Sequence, residues 1–331
     1  MARTRHGLAG LLAALLLVAA LGLAACGSTG GAGSGTAADA AGGGPADRPV
    51  IVATTPILGA IVRDAVGGAA EVRVVMPNGS DPHEWRPSAK DVAEVQSADL
   101  VVRNGLGLEQ GLQEAVDQAR ADGVPVFTAT DHVAVRGASD TGAHGAGDDH
   151  AHAGESSSGA ADPHFWTDPA QVEKVIAALP AAVRAATGAD ISASAATARR
   201  RVAALDAAIA KDFAKIPPTA RTVVTGHESL GYLAARYGLA LAGAVTPSLS
   251  SQGQVSAAHL KELEDAMAAS GARVVFTETG LPNSVADAIV AQTGATLVHL
   301  GTEALPDDGS YATYIRGLAQ RISSALAASG G

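Results

Sequence analysis

The chain has 331 residues, 47% hydrophobic and only 3% aromatic, with 23 Lys and Arg against 33 Asp and Glu for a net charge of -10. That acidic balance argues against a nucleic-acid partner. A single cysteine excludes an intramolecular disulfide, so the fold must rest on its core.

The first predicted element is a targeting segment. Arg3, Arg5 and His6 precede an apolar run from Leu8 to Ala25, the order of regions in a secretory signal. The run ends in Leu23-Ala24-Ala25-Cys26, which looks like a bacterial lipobox. Cleavage before Cys26 leaves the only cysteine to carry a lipid, and the loss of Arg3 and Arg5 takes the charge from -10 to -12. Residues 26–48 then form a lipidated cysteine and a flexible tether of Gly, Ala, Ser and Thr. No later segment reaches the ~18 apolar residues of a membrane span, so the lipid on Cys26 is the anchor the sequence offers.

The folded body starts near Pro49 and alternates short β-branched runs with helical patterns. Strands are expected at Val50 to Ala53, Val72 to Val75, Leu100 to Arg103 and Val124 to Thr128. Ser88 is placed to cap a helix from Ala89, and Leu112, Val116 and Ala119 give another helix an apolar stripe. A Gly-, Ser- and Asp-rich loop over 137–161 interrupts the body and carries His144, His150 and His152.

The pattern then recurs. Strands are expected at Thr222 to Thr225, Leu239 to Ala242, Val274 to Thr277 and Thr296 to Leu300, with helices near 229–237, 256–269, 283–293 and 310–326. Two βα-repeating halves predict an α/β protein of two parallel-sheet lobes, 49–187 and 218–331. Between them, Ile191 to Ile216 lacks Gly and Pro and spaces Val202, Leu205, Ile209 and Phe213 as one helix face. Pro217-Pro218 ends it. Such a linking helix, within 188–217, spans roughly 37 Å and would limit hinge motion between the lobes.

Two segments repeat the form D-P-H-x-W: Asp81-Pro82-His83-Glu84-Trp85 and Asp162-Pro163-His164-Phe165-Trp166. The Asp-Pro step presents each histidine from a loop. Trp85 and Trp166, the only tryptophans, are expected as apolar walls beside the two imidazoles. His227 directly follows a strand, where open α/β sheets bind ligands, although position alone does not separate a ligand from a histidine closing a turn. Glu303 follows the last strand, and taken alone reads as a solvated loop residue.

These residues carry a family likeness. The segments from Pro77 to Ser88, Asn104 to Glu109, Asp162 to Pro169 and Gly226 to Leu233 resemble the ZnuA-like zinc and manganese binding proteins, over a span from about Pro49 to the C-terminus. The resemblance implies two Rossmann-like lobes joined by a rigid helix, with one metal ion in the cleft between them. It also implies an ABC importer permease and its ATPase as partners, an extracytoplasmic lipoprotein and a monomer. Carried over, His83, His164 and His227 fall on ligand positions, the last being histidine in zinc members and glutamate in many manganese members. Glu303 stands where most members have Asp, so it binds directly, through water, or leaves a water in its place. Glu278 matches a glutamate near the cleft and is expected behind the ligands, whereas Gly280-Leu281-Pro282 departs from the family pattern. His144, His150 and His152 match a histidine-rich insertion of zinc members and are expected to form a weaker auxiliary site.

Three imidazoles and a carboxylate suit zinc as the transported ligand, with manganese, which favours oxygen donors, as the alternative. A zinc-dependent hydrolase using Glu228 or Glu84 as base is a rival reading, but H-E-x-x-H is absent. Gly226-His227-Glu228-Ser229 lacks the spacing of a nucleophile elbow. A surface adhesin is a third reading, open at this level.

Overall fold

In the computed structural model, residues 48–137, 160–278 and 283–329 are described. The signal segment, Cys26, the tether and His144, His150 and His152 lie outside the described residues. No described helix is long and apolar enough to cross a membrane.

Strands β1 (Val50–Ala53), β2 (Glu71–Val74), β3 (Leu100–Arg103) and β4 (Val126–Thr128) form one parallel sheet in the order β2-β1-β3-β4. Strands β5 (Thr222–Thr225), β6 (Ala240–Ala244), β7 (Val274–Thr277) and β8 (Thr296–His299) form a second, β6-β5-β7-β8. The two orders are the same permutation, so each sheet reverses direction between its first and third strands. That switch point is where an open parallel sheet leaves a crevice at its strand carboxyl ends.

The first half carries helices α1 (Pro56–Val66), α2 (Ala89–Gln96), α3 (Gln113–Ala121) and α4 (Pro169–Thr187). Local chemistry sets their starts. The Thr55 side chain accepts from Leu58 N, with Pro56 following as the first helical residue. Ser88 and Asp91 form a reciprocal capping box, and Asp168 caps α4 by accepting from Ala170 N. Helices α6 (Gly231–Tyr237), α7 (Ala257–Ser270), α8 (Asn283–Thr293) and α9 (Tyr311–Ser329) belong to the second half.

Between the halves runs α5 (Ser192–Phe213), whose 22 residues span roughly 33 Å. It packs against α1, α4 and α9. Near its start, Ser194 Oγ donates to Ala65 O at 2.7 Å. Near its end, Asp206 accepts from Tyr237 OH at 3.0 Å and pairs with Arg236, while Phe213 stacks on Tyr237 with centroids 4.9 Å apart. The helix is thus fixed to both lobes by contacts at its two ends.

Strand alternation divides the apolar interior into three. Ile51, Leu100 and Val102 face a large core shared with Val223, Val274 and Phe276 of the second sheet and lined by α1, α4, α5 and α9. Val52 and Val101 face a smaller cluster with Val95, Leu112 and Val116, and Val224 and Val275 face another with Leu263, Met267 and Ile289.

Several expected boundaries move, β2 to Glu71–Val74 and the end of β8 to His299 among them, and three show their cause. β4 starts at Val126 rather than Val124, because Val124 N donates back to Ala119 O and Pro125 has no N–H to offer. β6 starts after Leu239, whose N–H is taken by Ala234 O, and extends to Ala244. The linking helix stops at Phe213, and residues 214–216 turn before Pro217.

Candidate metal centre

Four side chains converge at the strand carboxyl ends. One donor atom from each of His83, His164, His227 and Glu303 can be chosen so that all four lie within 4.8 Å of one another, and all four residues are buried. His83 Nε2 and His227 Nε2 each lie 3.3 Å from His164 Nε2. A tetrahedron's edge is about 1.63 times its centre-to-corner length, so a Zn–N distance of about 2.0–2.1 Å asks for nitrogens about 3.3–3.4 Å apart. His164 already stands at that spacing from both of the other histidines. Glu303 sits further out, with Oε1 4.0 Å from His227 Nε2.

Each histidine is placed by its own loop. In the repeated Asp-Pro-His turns the aspartate folds back on the backbone: Asp81 Oδ1 accepts from His83 N at 2.9 Å, and Asp162 Oδ1 accepts from His164 N at 2.8 Å. Asp162 Oδ1 also lies 2.8 Å from His164 Nδ1, so it aims the ring so that Nε2 faces the cluster. His227 follows β5 and pairs through Nδ1 with Glu278, which follows β7 across the second sheet's switch point. Glu278 Oε1 accepts from Ser229 Oγ at 2.5 Å.

A further buried carboxylate acts at one remove. Glu109 accepts from Thr54 Oγ1, Asn104 N and Gly105 N at 2.9, 2.6 and 3.3 Å, while Asn104 Nδ2 donates to Pro163 O at 3.0 Å, beside His164. This turn needs Gly105: its φ is 99°, and a Cβ there would meet Thr130 Oγ1 at 2.3 Å.

Burial and mutual repulsion shape the electrostatics. Burial, then the neighbouring His164 and His227, push the His83 imidazole down to about 3, and burial holds His164 well below its ordinary value. Burial acts the same way on His227, but Glu278, with Glu303 and Asp81, outweighs it and lifts the ring to about 9. Burial raises the Glu303 carboxyl to about 8 and Asp162 to about 7. The centre therefore holds two neutral imidazoles, ready as donors, and a third that keeps its proton at neutral pH.

The structure brings His83, His164, His227 and Glu303 together and sets Glu278 directly behind His227. Trp166 borders His164 with ring centroids 5.3 Å apart and donates from Nε1 to Thr302 O at 3.0 Å. Trp85 departs from expectation. It is half-buried and packs with the Val52, Val95 and Val101 cluster on the far face of the first sheet, away from the imidazoles. Three contacts across the lobes had no sequence signal: Ser251 Oγ to Asp81 Oδ2 at 2.5 Å, Tyr232 OH to Asp162 O at 3.3 Å, and the amide of Asn78 to the backbone of Leu305. The Asp-x-His turn was the one missed feature with a local clue, since both copies carry it.

Comparison with known proteins identifies the family. The family model described as "Zinc-uptake complex component A periplasmic" matches residues 51–325. The high-affinity zinc uptake system protein ZnuA of Paracoccus denitrificans is 27% identical over 86% of this chain and 93% of its own length. The manganese-binding lipoprotein MntA of Halalkalibacterium halodurans is 27% identical over 80% and 83%. In three dimensions the periplasmic zinc binding protein TroA of Treponema pallidum superposes with a TM-score of 0.67 at 22% identity, covering 84% of this chain and 99% of that one. That likeness bears on the two-lobed fold.

Proposed function

We propose that this chain, which belongs to the ZnuA family of periplasmic zinc-uptake components, captures a transition-metal ion outside the cytoplasm on His83, His164, His227 and Glu303. It then passes the ion to the permease of an ABC importer driven by its ATPase. The observation that carries the reading is the 3.3 Å separation of His164 Nε2 from both His83 Nε2 and His227 Nε2, two edges of a tetrahedron fitted to zinc.

Four buried donors around one point form a holding site. A catalytic zinc keeps one position for water, and here Glu303 fills the fourth place. Zinc is the cargo favoured by three imidazoles, and the zinc-named relative supports it. The manganese-named relative, together with this chain's own oxygen donor Glu303, supports manganese as the second reading. We place the protein on the membrane surface as a monomer held by a lipid on Cys26, an anchor that keeps a soluble binder close to its permease.

The test is elemental analysis of untagged protein, followed by competition among zinc, manganese and copper. One zinc per chain, not displaced by manganese at modest excess, is the expected result, whereas copper, which binds nitrogen donors more tightly than zinc does, should compete. Equal retention of metal after replacing all three histidines would refute the assignment.

A further inference from the structure

Glu303 is the one member of the donor set whose side chain has no hydrogen bond of its own. Neither Oε1 nor Oε2 has such a partner, although the residue is only 4% exposed. His164 and His227, by contrast, are each held through Nδ1 by a carboxylate. The place of the Glu303 carboxylate is therefore inherited from its backbone, the irregular segment between β8 and α9.

That segment is gripped from the first lobe on both sides of Glu303. On one side Trp166 Nε1 donates to Thr302 O, which also accepts from Tyr314 OH at 2.6 Å. On the other side Asn78 Nδ2 donates to Leu305 O and Leu305 N donates to Asn78 Oδ1, both at 2.8 Å. One amide thus satisfies both backbone groups of one residue, as a neighbouring strand would. The pairing needs a donor and an acceptor side by side, which Asn supplies; Asp would turn an oxygen toward Leu305 O, and Ala would supply neither. Trp166 already has a role beside His164. Asn78 touches no member of the donor set through any of these bonds, and its partner lies two residues beyond Glu303.

We propose that Asn78 is a positioning residue for the fourth donor: a clasp from the first lobe that holds Glu303 against the histidines and so sets how slowly a bound ion leaves. The inference rests on the reading that these four residues hold the ion. An ion leaving the cluster must part from Glu303, and movement of its segment draws the carboxylate away. With the clasp intact, that movement requires two hydrogen bonds between the lobes to break together. Asn78 is exposed, so water competes for both bonds and the effect should be about five- to tenfold rather than larger.

The experiment uses the full chain loaded with zinc and follows transfer of the ion to an excess of chromophoric chelator by stopped flow. Asn78→Ala and Asn78→Asp should each release zinc about five- to tenfold faster, with the association rate unchanged. The same Asn78→Ala change is then made in a Glu303→Ala background. There it should alter release by less than about twofold, because no carboxylate remains to be placed. Unchanged release in Asn78→Ala, or equal acceleration with and without Glu303, overturns the clasp. A separate control isolates the underlying reading: if His164→Ala still binds one zinc with unaltered rates, the metal site itself is misassigned.

Discussion

Replacing Glu278 by Gln keeps the shape of the side chain and removes its charge, and the expected result is a change in how affinity depends on pH. Glu278 is 1% exposed, with one oxygen on His227 Nδ1 and the other accepting from Ser229. Against the effect of burial, this carboxylate is the main reason the His227 imidazole stands at about 9. At pH 7 its Nε2 therefore carries a proton that an incoming ion must expel. Holding a proton about two pH units above ambient divides the apparent affinity by about 100. Glu303, raised by burial to about 8, must also deprotonate. Because the bound state lacks these protons, affinity should rise from pH 6 to about pH 9 and then level off. Uptake at pH 7 should release between about one and two protons. In Glu278→Gln the His227 proton is gone before the ion arrives, so about one proton fewer should be released and the curve should flatten. Losing the carboxylate behind a histidine ligand costs about 10- to 100-fold. That cost should appear in full near pH 9 and shrink toward pH 7, where the wild-type protein suffers the proton competition. Calorimetry in buffers of differing ionisation enthalpy counts the protons, and chelator competition from pH 6 to 9 gives the curves. No proton release by the wild type at pH 7, or parallel curves for the two proteins, would refute this account.

Single alanine replacements of His83, His164 and His227 should each weaken zinc by on the order of 100-fold, since about 10–16 kcal/mol for a four-ligand site leaves about 3 kcal/mol per ligand. Glu303→Ala should cost less, its carboxylate lying further from the cluster than the imidazoles lie from one another; titration against a chromophoric chelator ranks the four. Cys26→Ala should shift the protein from the membrane to the soluble fraction, and retention on membranes after a salt wash would remove the lipid anchor. Deleting residues 143–158, with His144, His150 and His152, should leave one tight zinc per chain and abolish any weaker second binding in calorimetry. Loss of the tight site in that deletion would show that its ligands lie elsewhere.

Much of the fold is legible because its signals are local. The central strands β1, β3, β5 and β7 fall where the β-branched runs place them, since strands buried on both faces leave an unbroken apolar run. The edge strands β4 and β6 slip by one or two residues, because helix ends take their first N–H groups. Pro180 in the interior of α4 breaks the pattern of a helix whose stripe of Val172, Val175, Ile176, Leu179 and Val183 is otherwise plain. At the site, the histidines of the two Asp-Pro-His turns stand out through their repeated context. Glu303 had no such context, and only family likeness raised it above an ordinary loop carboxylate. The contacts that close the site pair residues 170 or 227 positions apart. No periodicity or turn signature reaches that far, so Ser251 and Asn78 were invisible until the chain was folded.

The shared core has a consequence for how the molecule is made. Ile315, Leu318, Ile322 and Leu326 of α9 belong to the same apolar cluster as Ile57, Leu58 and Ile61 of α1, so an early helix finishes its packing only against a late one. A chain threaded through a secretion channel, N-terminus first, would expose α1 until α9 had followed it out. Folding is then deferred past translocation by the topology itself, because contacts so distant in sequence form slowly. The same wiring means that either half, cut free at α5, would present a bare apolar face and seek chaperones or its own kind.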